Sequence, residues 1–119
     1  MTKIEAYNDF WQQFGVPAYD EFSVPDEAKL PYITYELSTD TFDNQVTVSA
    51  NIWTRNTSWK QAYDILDRVE KRILGGGSNI PYDGGTIWIT SASPWCRRLS
   101  SDTDSLIKRL FLNLSAEFI

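Results

Sequence analysis

Two alternating runs constrain this chain more than anything else in it. Between Val46 and Arg55, Val46, Val48, Ala50 and Ile52 face one way, and Thr47, Ser49, Asn51 and Arg55 face the other, with Trp53 among them. From Leu106 to Phe118 the apolar positions Leu106, Leu110, Leu112, Leu114, Ala116 and Phe118 are set against Arg109, Asn113, Ser115 and Glu117. A period of two gives a strand one apolar face, which must be covered by another layer. Over 106–112 a helical period also fits, but the longer run reads as a strand.

The covering layer is visible as two helical stripes. In residues 2–14, Ile4, Tyr7, Phe10, Trp11 and Phe14 recur at steps of three and four. Thr2 and Glu5 have the spacing of a capping box, and Gly15 and Pro17 stop the helix. The second stripe is Trp59, Ala62, Tyr63, Leu66, Val69 and Ile73. Ser58 and Gln61 have the capping-box spacing there, Gly75 ends the helix, and Asp64 with Arg68 and Asp67 with Lys71 stand four residues apart.

Shorter signals fill in the rest. Tyr32–Leu37 alternates as a strand, with Ile33, Tyr35 and Leu37 on one side. A polar hairpin loop, 38–45, joins it to the next strand and carries Phe42 at its tip. After Gly75-Gly76-Gly77-Ser78-Asn79, the residues Ile80–Tyr82 and Thr86–Thr90 flank Asp83-Gly84-Gly85 as a hairpin. Ser93-Pro94 should interrupt any ladder, and Trp95–Leu99 reads as a short edge strand carrying Arg97 and Arg98. Residues 16–31 hold Pro17, Pro25 and Pro31 with Asp20, Glu21, Asp26 and Glu27 between them, and read as an extended connector, not a strand. The expected fold is α+β, a single domain over 1–119. Its order is α-β-β-α-β-β-β, with both helices on one face of a mainly antiparallel sheet.

Composition removes most chemistry. The 119 residues include no His and one Cys. The usual neutral-pH base, an intrachain disulfide and a thiolate metal cage are therefore missing. Asp40, Asp43, Asp102 and Asp104 are loop carboxylates, but their spacing matches no calcium loop. The glycine run 75–77 follows a helix and lacks the Lys-Ser/Thr of a phosphate loop. Cys96 lies beside Arg97 and Arg98, which would lower its pKa; having no partner, it reads as a plain thiol. Net charge is −5, which disfavours nucleic acid as a preferred ligand. No apolar run suggests a signal peptide or a membrane span, so the expectation is a cytosolic chain that is not an enzyme. Arg97, Arg98, Lys108 and Arg109 form a modest basic cluster, suited to salt bridges with a neighbouring subunit or to a nucleic-acid contact. With 17 aromatic residues, a long connector and polar loops, the profile suits an assembly component.

An ordered set of words along nearly the whole chain then carries a resemblance. It runs from Phe10-Trp11-Gln12-Gln13-Phe14-Gly15-Val16-Pro17-Ala18-Tyr19 and Ser23-Val24-Pro25 through Leu30-Pro31-Tyr32-Ile33-Thr34-Tyr35 and Ile52-Trp53-Thr54-Arg55-Asn56-Thr57-Ser58-Trp59 to Ile80-Pro81-Tyr82-Asp83-Gly84-Gly85 and Asp102-Thr103-Asp104. This resembles the tail terminator (tail completion, minor tail) proteins of long-tailed bacteriophages and prophages, particularly of Gram-positive hosts. No single motif is a signature.

The resemblance implies a small α+β protein that forms a ring, usually hexameric, on the head-proximal end of the tail tube. Such a ring stops tube polymerisation and offers a head–tail joining surface. It implies a virion protein, found in host cytoplasm during assembly, whose partners are itself, the tube protein and the head–tail connector. DNA would pass through the lumen without specific binding. No catalytic, cofactor or metal residue carries over. The expected partner contacts are the two projecting loops, through Asp40, Thr41, Phe42, Asp43 and Asn44 and through Gly75, Gly76 and Gly77. The alternatives are another neck protein of the same module (head-completion or stopper) and a monomeric host module that binds a peptide along a sheet edge.

Overall fold

The computed structural model describes residues 1–37, 45–101 and 103–119. Its elements run α1 (Lys3–Trp11), β1 (Ala18–Asp20), β2 (Tyr32–Tyr35), β3 (Gln45–Arg55), α2 (Lys60–Ile73), β4 (Ser78–Tyr82), β5 (Gly85–Ser100) and β6 (Ile107–Phe118). The fold is α+β, as the patterning predicts, with corrections to the strands.

The six strands form one mixed sheet in the order β1-β2-β3-β6-β5-β4. Both alternating runs pair with each other, antiparallel, from Gln45↔Glu117 to Arg55↔Ile107. Val48, Ala50 and Ile52 on β3 and Leu110, Leu112, Leu114 and Ala116 on β6 are buried. They share one core with Ile87 and Ile89 of β5, Tyr7, Phe10 and Trp11 of α1, and Ile65, Val69 and Ile73 of α2. Each fully buried Ile or Leu contributes about 1.5–3 kcal/mol relative to leaving it in water. The aromatic stripe of α1 belongs to this core. Trp11 stacks on Tyr35 of β2, with ring centroids 6.1 Å apart and planes 7° apart.

The start signal holds for α1, but the helix ends at Trp11 with Gln12 as its C-cap, short of the expected stop at Gly15, and the signals shift for α2. Thr2 N–H donates to Glu5 Oε1 at 3.1 Å and Glu5 N–H to Thr2 Oγ1 at 3.2 Å, a complete capping box. The bond from Thr2 N–H, helped by the Thr2 hydroxyl, holds the Glu5 carboxyl below its ordinary pKa. At α2 the expected Ser58–Gln61 box does not form. Trp59 occupies the cap with no side-chain bond, and Ser58 Oγ accepts from Lys60 N–H at 3.0 Å instead. The Asp67–Lys71 pair forms at 2.9 Å. Asp64 pairs with Lys60 at 2.8 Å rather than with Arg68. Arg68 turns to the segment that follows α1, where its Nη1 donates to Phe14 O at 2.9 Å. An exposed ion pair on a helix surface is worth little, so the bond to a carbonyl of the segment after α1 is not outweighed by the lost Asp64 contact.

Three corrections concern the sheet. The 16–31 connector contains a strand: β1 pairs parallel with β2, Ala18↔Ile33 to Asp20↔Tyr35, so the sheet is not purely antiparallel. Pro17 O accepts from Ile33 N–H at 2.9 Å, starting the pairing where Pro17 itself has no donor to offer. Ser93-Pro94 does break the ladder, yet β5 continues past it. The five steps from Ser91 to Cys96 oppose only the two from Leu114 to Leu112, and regular pairing resumes to Ser100↔Lys108. Finally, Trp95–Leu99 is the second half of β5, not a separate strand. The hairpin loop 38–45 is described only at Gln45, which opens β3.

Candidate functional site

The helices leave the other face of the sheet uncovered, and side chains of opposite character meet there. One row across the strands reads Tyr19 (β1), Thr34 (β2), Asn51 (β3), Phe111 (β6) and Arg97 (β5), from the register of successive pairs. Alternation explains the assignment. The buried neighbours Ile33, Ala50, Ile52, Leu110 and Leu112 point into the core, so the row points out.

Polar groups on this face are buried only where they are bonded. Asn51, 1% exposed, sits between two charges. Its Nδ2 donates to Glu21 Oε1 at 3.3 Å and its Oδ1 accepts from Arg109 Nε at 2.7 Å. Thr34 Oγ1 accepts from Trp53 Nε1 at 2.9 Å. Arg109 lies over Trp53 at 4.9 Å and over Phe111 at 5.9 Å, and Arg97 lies over Phe111 at 5.6 Å. Trp53, Arg109, Phe111 and Arg97 thus alternate ring and cation across three strands. Each such contact is worth about 0.5–1 kcal/mol at an exposed site.

The β1 edge and the part of the β5 edge that β4 leaves uncovered carry opposite charge. At the β1 edge, Glu36 is held above its ordinary pKa by partial burial and by Glu21 and Asp20 crowding it. At the β5 edge, Arg98 Nε donates to Tyr63 Oη at 2.7 Å and lies over Trp59 at 4.9 Å. Lys108 lies over the same Trp59 ring at 5.7 Å. The basic cluster read from the sequence is therefore brought together in space, split between the sheet's two faces.

The other candidates fall out as follows. Asp40, Thr41, Phe42, Asp43 and Asn44, expected to contact a partner, lie outside the described residues, as does Asp102. Gly75, Gly76 and Gly77 join α2 to β4, with φ values of 94°, 126° and 97°. A side chain at Gly75 or Gly76 would meet open space, whereas a Cβ on Gly77 would lie 2.7 Å from Ile89 O. Gly75 and Gly76 are thus placed at an exposed surface, and Gly77 is fixed by packing against β5. Asp104 pairs with Arg55 at 3.0 Å, and the bond from Leu106 N–H, followed by that from Arg55, lowers its carboxyl pKa. Among the described residues no three His, Cys, Asp or Glu side chains gather as a cation site. The Cys96 thiol is pushed up by burial and by Glu70, against the pull of Arg98, so the lowering expected from its arginine neighbours does not occur.

Two clefts flank α1. One, of about 380 Å³, is lined by Asp9, Phe10, Gln13, Arg72 and Asn79 among others. The second, of about 300 Å³, includes Tyr7, Asn8, Asp20 and Tyr35. Its phenols are engaged: Tyr7 Oη donates to Glu36 O at 3.0 Å, and Tyr35 Oη bonds Asn8 Oδ1. Burial raises both phenol pKa values. Neither cleft presents a nucleophile hydrogen-bonded to a base. Among the described residues no helix is long and apolar enough to cross a membrane.

No protein-family model matches the chain, and no curated protein matches it at a significant level.

Proposed function

We propose that this chain is a structural assembly protein of a long-tailed bacteriophage or prophage. It forms a ring of six copies on the head-proximal end of the tail tube, ends tube growth and offers the surface on which the head connector docks. The observation that supports this reading is the uncovered sheet face, with its ring-and-cation ladder and its separated acidic and basic edges. A heterologous, head-to-tail contact needs two unlike surfaces on one subunit, and a sheet charged oppositely at these edges supplies them. The resemblance in the ordered words of the sequence adds the identity of the partners: the tube protein and the head–tail connector. An acidic chain of net charge −5 suits a lumen through which DNA slides without sticking. In this reading the protein acts in the virion and, before that, in the host cytoplasm, and performs no catalysis.

The segment 38–44 and the exposed turn at Gly75 and Gly76, which ends where β4 begins at Ser78, are the proposed contacts with tube or connector. Deleting residues 40–44 is expected to leave the thermal unfolding of the chain cooperative and to abolish capping of tail tubes, scored as tubes of uncontrolled length. Normal capping by the deletion would sink the role of the loop. Another neck protein of the same module differs only in its docking partner. Binding to head connectors with no effect on tubes would select it.

A further inference from the structure

We infer that the acidic β1 corner of one copy, Asp20, Glu21 and Phe22, docks on the open β5 edge of the next copy at Arg97 and Arg98. The inference rests on the ring reading above and names the surfaces that would make the ring.

The two dyads stand on opposite edges of the sheet, two residues apart in level. Tyr19 and Arg97 end the same row, five strands wide, so the dyads occupy opposite edges about 19 Å apart at ~4.8 Å per strand. The β5 edge is open at this level because β4 pairs only with Gly85–Ile89. The dyads are matched in direction. Consecutive strand residues point to opposite faces. Glu21 lies on the outer face with Asn51, and Arg97 on the same face over Phe111. Asp20 and Arg98 belong to the other face, in register with Tyr35 and Leu110 respectively. The row of Asp20 ends at Cys96 and that of Arg98 at Ala18, so a neighbour displaced sideways by one sheet width and by two residues, about 7 Å, along the strands brings Glu21 to Arg97 and Asp20 to Arg98.

Charge and apolar exposure point the same way. Asp20, Glu21 and Glu36 lie together, and among the described residues none of the three forms an ion pair. Among the described residues neither Arg97 nor Arg98 forms an ion pair, and both are exposed. Arg98 is already held by Tyr63 and Trp59, so little side-chain freedom is lost when it pairs. Beside the acidic dyad, Phe22 is 84% exposed and fits the apolar ring surface around Phe111. The contact is made by side chains. The amide of Gln12 already covers Ala18 on the β1 edge, donating to Ala18 O at 2.9 Å and accepting from Ala18 N–H at 3.4 Å.

Intermolecular paramagnetic broadening tests this in the full chain, even when the free protein associates only transiently. A spin label is placed on Ser23→Cys in a Cys96→Ser background and mixed with ¹⁵N-labelled Cys96→Ser chain carrying no label. The expected result is loss of the Arg97, Arg98 and Phe111 amide peaks. Intensity should return on raising salt, and on Arg97→Glu plus Arg98→Glu in the ¹⁵N-labelled copy. Broadening elsewhere, broadening centred on Phe22 of the second copy, or none at all would overturn the pairing. So would stronger shifts of the same residues with oligo-dT, which would mark the face as a single-stranded nucleic-acid surface. Rings seen by microscopy without broadening at Arg97 would sink this contact and leave the ring reading standing. Broadening at Arg97 with no ring on tail tubes would do the reverse.

Discussion

Arg109 on β6 is held by Asn51 on β3 through a single 2.7 Å bond from its Nε, beneath the outer face of the sheet. Asn51 is nearly inaccessible and also donates to Glu21, so it bridges an acid and a base that do not touch. Replacing Asn51 with Leu leaves both without their partner at a buried position. The expected cost is about 1–3 kcal/mol in urea denaturation. A change within experimental error would show that the bridge does not stabilise the sheet.

Gly75 and Gly77 have nearly the same φ, 94° and 97°, but different surroundings. Alanine at either position suffers the same left-handed backbone strain. Only at Gly77 does the new Cβ press on Ile89 O, at 2.7 Å. Gly77→Ala should therefore be less stable than Gly75→Ala by a further ~1–3 kcal/mol, the usual cost of forcing atoms into packed space. Equal thermal midpoints would remove the steric distinction. If Gly75 serves the partner contact, Gly75→Ala should instead affect tube capping.

Glu36 makes stability depend on pH in an unusual direction for a carboxylate. Partial burial, Glu21 and Asp20 raise its pKa above 4.5, so the folded chain holds this proton more tightly than the unfolded chain does. That contribution is present below 4.5 and is lost as pH rises through the folded value. Asp104, with its lowered pKa, acts in the opposite sense. The difference between wild type and Glu36→Gln isolates the first effect. Glu36→Gln should melt higher than wild type at pH 7, and the gap should close towards pH 4. A variant less stable than wild type at pH 7 would contradict the assignment.

Cys96 should be a sluggish thiol. Burial and Glu70 hold its pKa above 9.0 despite Arg98. Reaction with a disulfide reagent at pH 8 is expected to be slower than that of a small-molecule thiol, and slower still in Arg98→Ala. A faster reaction than the small thiol would reverse the electrostatic reading.

What the sequence disclosed divides by range. The α1 cap was legible because Thr2 and Glu5 are three residues apart and satisfy each other. The β3 and β6 runs were legible because a buried face imposes a period of two over ten or more residues. The three residues of β1 carry no such period. Their pairing comes from Pro17 O, the Gln12 amide and the free side of β2, all set by tertiary structure. Arg68 likewise left its helix neighbour Asp64 for Phe14 O, a partner 54 residues away. The Arg97-Arg98 dyad was visible as a local cluster. Its place on one row with Tyr19 was not, because that needs the register of four strand pairs and the break between Ser91 and Cys96.

The most direct test of the account is electron microscopy with light scattering of the purified chain, alone and mixed with tail tubes of the phage or prophage proposed to encode it. The account predicts rings of about six 13.7-kDa copies, about 82 kDa, or density closing one end of each tube. A chain that stays monomeric with tubes present and leaves both tube ends open would contradict it.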